Sequence, residues 1–129
     1  MSGDTSEALS FSFPKSRRLL DQISYSRVFD QADIKVSRPQ LLVLAKHNAV
    51  GHPRLGLIIA KKNVRLANQR NHVKRHAREQ FRLLQHTLPA IDAIVLARRG
   101  VNTLSNHELS QLMSSVWRAV AKKAKHKAD

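Results

Sequence analysis

One stretch of the sequence, residues 61–82, carries the densest positive charge and also has the composition of a helix. From Gln69 to Arg82 it contains no Gly, Pro or Ser, and its Arg, Lys, Gln and Ala residues favour helix. Helical spacing predicts an apolar stripe facing a core, formed by Leu66, Val73, Ala77, Phe81 and Leu84. A separate face is predicted to carry Asn71, Lys74, Arg75, Arg78 and Arg82. Because like charges three or four residues apart repel, this face indicates a polyanionic partner.

Composition supports that inference and limits the alternatives. The 129 residues suffice for one domain, and their net charge of +14 and pI near 11.4 indicate nucleic acid first and an anionic membrane second. No apolar run has the length of a membrane span and no signal peptide is evident, so we expect a soluble protein without a membrane partner. The absence of Cys excludes disulfides, thiolate metal sites and a Cys nucleophile. It also fits a cytoplasmic location.

A specific spacing adds to the charge. Arg70-Asn71-x-x-Lys74-Arg75-x-x-Arg78-Glu79, following Lys61-Lys62 at the end of an apolar strand, resembles the RNR motif of the bacterial ribonuclease P protein family. The resemblance extends from about residue 13 to about residue 120, and His72 departs from it, since many members carry Arg there. It implies contacts with a catalytic RNA by Lys61, Lys62, Arg65, Arg70, Asn71, Lys74, Arg75, Arg78 and Arg82. Arg70 falls on the apolar side of the wheel but at the start of the helix, so it either joins the exposed cationic face or turns toward the sheet.

The rest of the chain predicts a compact domain at residues 13–121 between a disordered tail at 1–12 and a basic, frayed tail at 122–129. Asp21 is a candidate N-cap for a helix over 22–31. Strands are predicted at 34–37, 40–46, 55–60 and 91–97, with residues 48–53 as a hairpin turn. The basic helix should end near Thr87, before Pro89. Ser105 and Glu108 fit a capping box that starts the last helix, where apolar residues recur at Leu109, Leu112, Met113, Val116 and Val120, with Trp117 at the edge.

This order predicts an α/β (α+β) two-layer sandwich, α-β-β-β-α-β-α, with a small mixed sheet and helices mainly on one face. The strands on either side of the basic helix are expected to lie parallel. A right-handed crossover is the default for such a unit, but the family resemblance implies a left-handed one.

Tyr25 and Phe29 share one face of the first helix with Val28 and Ala32. Spacing alone favours core packing, whereas a stacking platform for unpaired bases is the functional alternative. The resemblance implies a cleft against the sheet that holds the single-stranded 5′ leader of precursor transfer RNA. Lys15, Arg17 and Arg18 would then contact phosphates at its mouth. Leu44 and Ile58 would form its floor, although they are equally good core residues.

Other chemistry has weak support in the sequence. His72 and His76, with Glu79 beside them, have the spacing of a metal clip, but no third ligand of suitable spacing is visible. They are better interpreted as polar residues that gain charge near RNA. Asp30 and Asp33 are too few acids for two-metal hydrolysis. The sequence therefore argues against a metal site or a catalytic set in the polypeptide, and against a free-standing nuclease.

The resemblance implies the protein subunit of a ribonucleoprotein endonuclease. Its RNA subunit would perform the hydrolysis with bound Mg²⁺, and the protein, one copy per RNA, would bind that RNA and precursor transfer RNA. A structural ribosomal-type protein, which stabilises RNA without a role in catalysis, is the alternative. The preferred leader sequence, dimerisation of the holoenzyme, and which face meets which RNA stay open.

Overall fold

The fold is seen in a computed structural model, which describes residues 17–19 and 21–128, with side chains as far as Lys125. Its described part contains three α-helices and one four-stranded sheet. The helices are α1 (Gln22–Gln31), α2 (Ala67–Leu84) and α3 (Asn106–Ala128). The strands are β1 (Ile34–Ser37), β2 (Leu41–His47), β3 (Arg54–Ile58) and β4 (Ile91–Ala97). Short 3₁₀ turns at Gln85–Thr87 and Val101–Thr103 follow α2 and β4. The predicted tail at 1–12 and Lys15 lie outside the described residues.

Strand order differs from the sequence prediction in one respect. The order is β1-β2-β4-β3, so residues 48–53 do not form a hairpin turn, and that prediction is wrong. β4 lies between β2 and β3, because its residues 91–95 are all buried and take the most enclosed position in the sheet. The hairpin instead joins β1 to β2, where the Arg38 amide donates to the Leu41 carbonyl over 2.8 Å.

The mixed character of the sheet is confirmed. β1 pairs with β2, and β2 with β4, in antiparallel register, whereas β3 pairs with β4 in parallel. The two strands joined by α2 are therefore parallel neighbours, as the sequence predicted. The left hand of this crossover stays an implication of the family resemblance.

The larger core lies where α2 and α3 cover one face of the sheet. Alternation along the strands sends Leu41, Val43 and Ala45 of β2 to this face. α2 buries Val73, Ala77 and Phe81 against it. Leu66 was predicted to belong to this stripe but is 50% exposed, because it is the N-cap of α2 and has extended backbone. The helical wheel therefore does not apply to it.

α3 extends the same core. The predicted capping box is confirmed: Ser105 N–H donates to Glu108 Oε1 over 2.8 Å, and Glu108 N–H donates to Ser105 Oγ over 3.1 Å. Trp117, placed by the sequence at the edge of the stripe, is only 1% exposed and lies edge-on to Phe81 with ring centroids 5.5 Å apart. The helix continues to Ala128, past the point where fraying was predicted, and buried Ala124 continues its apolar stripe.

α1 packs alone on the opposite face of the sheet. Its start is capped as predicted, because Asp21 Oδ1 accepts from the Ser24 amide over 2.7 Å. In the part of the chain that the structure describes, the cluster beneath it is small: its buried members are Leu19, Val28 and Ile94, and four neighbours are partly buried, Tyr25, Leu44, Ile58 and Leu96. Two of the three helices thus lie on one face, and α1 leaves part of the other face open. No helix among the described residues is long and apolar enough to cross a membrane.

Candidate nucleic-acid interface

The outer face of α2 carries a cationic groove. It has a volume of about 430 Å³ and is lined by Asn71, Arg75, Arg78, Glu79 and Arg82. Asn71, Arg75 and Arg78 are exposed, whereas Lys74 is half-buried. The sequence predicted this face, and the structure brings these side chains together along one helix. Guanidinium groups so arranged can each donate two hydrogen bonds to a phosphate.

Arg82 differs from the other cations in this groove. Its Nη2 lies 2.6 Å from Glu79 Oε2, and its Nε lies 3.2 Å from Glu79 Oε1. The hydrogen bonds from Arg82 hold the pKa of the Glu79 carboxyl below its usual range, and the same pairing raises the pKa of Arg82. Glu79 therefore offsets one positive charge, so Arg75 and Arg78 are the stronger candidates for phosphate contacts.

Arg70 turns back to the segment that precedes α2. Its Nη1 donates to the carbonyls of Val64 over 3.1 Å and Arg65 over 2.8 Å. Asn63 also anchors this segment, because its side-chain amide donates to the Ala97 carbonyl over 3.0 Å. Lys61, Lys62 and Arg65 are exposed on the segment. Arg70 thus orients a loop that carries three other cations.

The side of the sheet covered by α1 holds the residues predicted for a leader-binding cleft. Phe29 is 44% exposed, whereas Tyr25 is half-buried and its hydroxyl accepts a hydrogen bond from the Leu57 amide over 3.1 Å. Leu44 and Ile58 pack against the small cluster under α1 and are half-buried, so they contribute to core and floor alike. These residues lie on one face of the sheet, as a cleft requires.

Arg17 and Arg18 lie near the edge of β3. Arg17 is half-buried and Arg18 is exposed, and Arg18 forms an isolated parallel bridge with Leu55. The next residue, Leu19, donates its amide to the Leu55 carbonyl over 2.9 Å. The chain before α1 therefore extends the sheet beyond β3.

A pocket at the edge of β3 joins the two surfaces. It has a volume of about 180 Å³ and is lined by Arg18, Leu19, Tyr25, Leu55, Leu57, Lys74 and Arg78. Cations from α2 and from the segment before α1 thus meet beside an aromatic ring. Sequence reasoning treated the cationic helix and the aromatic cleft as separate sites, whereas the structure makes them neighbours across the edge strand.

Sequence reasoning missed a buried polar network on the face of the sheet that α1 covers. Arg54 donates to both carboxylate oxygens of Asp92, with Nε and Nη2 each 2.7 Å away, and Asn48 Nδ2 donates to Asp92 Oδ1 over 2.8 Å. Asp92 is 4% exposed, and its hydrogen bond raises the pKa of Arg54. An acid inside the apolar segment 91–97 was the available signal, because a buried carboxylate requires a partner.

The histidines of α2 face α3. His72 Nε2 lies 2.7 Å from Asn106 Oδ1, and His76 Nδ1 lies 3.2 Å from Ser110 Oγ. Burial lowers the pKa of His76, and the neighbouring His72 and Arg75 lower it further. The two rings touch edge-on with centroids 4.6 Å apart. They therefore belong to a polar seam between helices.

The carboxylates considered for a metal site are not clustered. Asp33 lies 3.3 Å from His47 Nδ1, and Asp30 is exposed at the end of α1. Over residues 17–19 and 21–128, no group of three or more His, Asp or Glu side chains is placed to hold a metal ion.

The fold and this surface define a small α/β protein whose cationic helix and aromatic cleft suit a polyanion. The sequence profile of the Ribonuclease P family matches residues 13–121. The chain is 52% identical over 114 residues to the ribonuclease P protein component of Saccharophagus degradans, covering 88% of this chain and 84% of that protein. It is 49% identical over 106 residues to that of Proteus mirabilis, covering 82% and 88%.

Solved structures agree. The Staphylococcus aureus RNase P protein superposes with a TM-score of 0.70 at 27% identity, covering 84% of this chain and 95% of that one. The chain belongs to the ribonuclease P protein family.

Proposed function

We propose that this chain is the protein subunit of ribonuclease P and that it binds both the catalytic RNA and the 5′ leader of precursor transfer RNA. The observation that carries the proposal is the shared pocket at the edge of β3. There, Lys74 and Arg78 of α2 line the same space as Arg18 and Tyr25. A strand of RNA on the cationic face of α2 can therefore continue past Arg18 and Tyr25 into the cleft under α1.

The cationic face of α2 is the proposed contact with the catalytic RNA. Arg75 and Arg78 are exposed there beside Asn71, whose side chain both donates and accepts hydrogen bonds. Lys61, Lys62 and Arg65 lie on the loop oriented by Arg70 and extend the contact toward the end of β3. Cations that neutralise phosphates release condensed counterions, which favours binding and makes it dependent on salt.

The cleft is the proposed leader site, and Phe29 is its stacking group. An aromatic platform contributes roughly 1–3 kcal/mol per stacked base. Because the leader is present in precursor and absent from mature transfer RNA, this contact favours substrate over product. The subunit thus acts by differential binding.

In this proposal the RNA subunit hydrolyses one phosphodiester and leaves a 5′ phosphate on the mature transfer RNA, with Mg²⁺ bound mainly by RNA. Three of the described carboxylates are held in ion pairs: Glu79 with Arg82, Asp33 with His47, and buried Asp92 with Arg54. The protein supports metal binding indirectly, because neutralising RNA charge lowers the cost of compact RNA folds that hold Mg²⁺. One protein per RNA, in the cytoplasm, is the proposed assembly.

The test is reconstitution with the cognate RNA at limiting Mg²⁺. We expect cleavage of precursor transfer RNA to depend on the protein, with the 5′ phosphate on the mature product. If the protein binds the RNA yet leaves cleavage unchanged, it is a structural RNA-binding protein of ribosomal type. If the protein alone cuts RNA and EDTA stops it, the polypeptide is a metal nuclease.

The leader site is tested with Phe29→Ala in the same assay. Affinity for precursor should fall by roughly tenfold, whereas affinity for mature transfer RNA should not change, because only the leader stacks on this ring. Ile23→Ala is the matched control, since Ile23 is an apolar side chain on α1 that is 71% exposed. Equal losses for precursor and mature product would show that Phe29 only packs.

A further inference from the structure

The two aromatic residues of α1 have different surroundings. Phe29 is 44% exposed. Tyr25 is half-buried, and its hydroxyl accepts a hydrogen bond from the Leu57 amide over 3.1 Å. A ring that is half-buried and whose hydroxyl is engaged in a hydrogen bond is less well placed to stack on a base than an exposed ring. The pair predicted as one platform therefore separates into an anchored ring and an exposed ring.

Gly56 makes the anchoring possible. A Cβ atom at this position would lie 2.7 Å from Tyr25 Oη and 2.8 Å from Tyr25 Cζ, which is closer than real Cβ contacts allow. Positive φ angles among the described residues occur only at Gly51 and Gly100, so Gly56 is not needed for an unusual backbone conformation. What its missing side chain provides is room for the Tyr25 ring against β3.

The hydrogen bond from the Leu57 amide to the Tyr25 hydroxyl also satisfies a backbone group at the edge of the sheet. β3 pairs with β4 along one side, and on its other side the Leu55 carbonyl accepts from the Leu19 amide over 2.9 Å. Leu57, two residues further along, points its amide to the same side, and the Tyr25 hydroxyl takes it up. An unpaired edge amide is thereby satisfied by α1 itself. The hydrogen bond between Leu57 and Tyr25 therefore fixes the position of α1 relative to β3.

We infer that Tyr25 is a positioning residue, which clamps α1 on Gly56 and Leu57 so that Phe29, one helical turn further on, is held at the leader cleft. The inference rests on the proposed function, since it assigns separate roles within that leader site. Tyr25 also lines the pocket shared with Lys74 and Arg78. The clamp therefore sets the position of α1 relative to the cationic face of α2 as well.

The test is a double-mutant cycle in the reconstituted holoenzyme. Tyr25→Phe, Phe29→Ala and the double variant are compared by the ratio of Kd for precursor to Kd for mature transfer RNA. Tyr25→Phe keeps an aromatic ring but loses the hydroxyl, so we expect the preference for precursor to fall by roughly threefold to tenfold, the range for one hydrogen bond. In the Phe29→Ala background the same change should have little effect, because Tyr25 acts through Phe29.

Three results would overturn the inference. If Tyr25→Phe keeps the full preference while Tyr25→Leu loses it, Tyr25 itself is a stacking platform. If the effects of Tyr25→Phe and Phe29→Ala multiply, Tyr25 acts independently of Phe29. If Phe29→Ala leaves the preference for precursor intact, the proposed leader site is wrong as well. In the first two results Phe29→Ala still reduces the preference, so they overturn only the role of Tyr25.

Gly56→Ala is a second, independent variant. It should displace the ring and reduce the preference for precursor at least as much as Tyr25→Phe. In a Tyr25→Leu background it should cost nothing further, because leucine lacks the atoms that the new Cβ would meet. The same loss in both backgrounds would mean that Gly56 serves the strand and not the clamp.

Discussion

Asp92 is a carboxylate inside an otherwise apolar strand, and its neighbours explain why this is tolerated. Arg54 is its direct partner in the parallel register of β3 and β4, and it binds both carboxylate oxygens. Asn48 adds a third hydrogen bond and donates as well to the His52 carbonyl over 3.2 Å. The network therefore fixes the chain between β2 and β3, as well as the start of the parallel pair that supports the cleft.

Removing the Arg54 cation should destabilise the fold, because the buried Asp92 carboxylate then lacks its charged partner. We expect Arg54→Met to lower the free energy of unfolding by about 3 kcal/mol, because a buried charge loses its partner. Urea unfolding followed by the fluorescence of Trp117, the single tryptophan of the sequence, measures the change. Arg118→Met removes the same charge at an exposed position of α3 and should have little effect. Equal stability of the two variants would contradict a structural role for the pair.

This residue pair also shows what sequence reasoning could not reach. Arg54 and Asp92 are 38 positions apart, and only the parallel register brings them together. The Asp21 cap and the Ser105–Glu108 box were predictable because each joins residues three positions apart. Local contacts follow from the sequence, whereas Arg70 binding back to two carbonyls and Tyr25 reaching Gly56 depend on how elements pack.

At the level of elements, α2 has three functions on three faces. Its apolar residues enter the core, its histidines bind α3, and Asn71, Arg75 and Arg78 face outward. The sequence predicted the first and third faces from periodicity, because both sets are chemically uniform. The seam with α3 was not predicted, since nothing in the pattern of α2 shows which helix packs beside it.

The outward face predicts a change in salt dependence. Replacing Arg75 and Arg78 by Ala should weaken binding to the catalytic RNA and make the plot of log K against log salt concentration less steep by roughly 1.4 to 1.8, for two lost phosphate contacts. Binding titrations over a series of KCl concentrations measure the slope. Arg118→Ala with Lys122→Ala removes two exposed cations of α3 as the control. A slope unchanged by the α2 substitutions would exclude docking through this face.

The seam between α2 and α3 predicts a dependence of stability on pH. Burial, His72 and Arg75 lower the pKa of His76 in the folded state, so the unfolded chain takes up this proton first as pH falls below about 6.5. The free energy that neutral His76 contributes to stability is therefore fully present above that pH. It is lost as the pH falls toward the lowered folded-state pKa of His76. His76→Gln should flatten this part of the curve in urea unfolding, whereas His107→Gln, an exposed control, should not. Identical curves for His76→Gln and the parent would contradict a destabilising protonation of His76.

Element boundaries were predicted better than element neighbours. α1, β1 and β4 begin and end where the sequence placed them. The prediction of a hairpin at 48–53 was wrong. It assumed that β2 and β3 pair because they are adjacent along the chain, whereas the buried strand β4 lies between them. Periodicity reports which residues are buried, but it carries little information about which strands pair.

Across the whole molecule, the two faces of the sheet are stabilised unequally. The core between the sheet and α2 with α3 contains most of the buried side chains, Phe81 and Trp117 among them. Among the described residues, the cluster under α1 has three buried apolar members, Leu19, Val28 and Ile94. Because buried apolar area supplies most of the folding energy, α1 should be able to open while the rest stays folded. The proposed leader site thus lies on the more adaptable side of the domain.

Native-state hydrogen exchange tests this division. Amides of α1 should exchange through a local opening of lower free energy than those of β4, the strand at the centre of the buried core. Val28→Ala, which empties a fully buried position, should lower the protection of α1 by about 2 kcal/mol, or roughly 30-fold, because Val28 loses its contacts whenever α1 opens. Amides of β4 that exchange through global unfolding should lose a similar amount, since unfolding also releases Val28. Val116→Ala, in the larger core, should instead lower the protection of β4 and leave that of α1 nearly unchanged, because Val116 stays packed while α1 opens locally. Equal loss of protection at β4 and α1 in Val116→Ala would mean that the two faces unfold as one unit, and the cleft could then adapt to a leader only by movement of side chains.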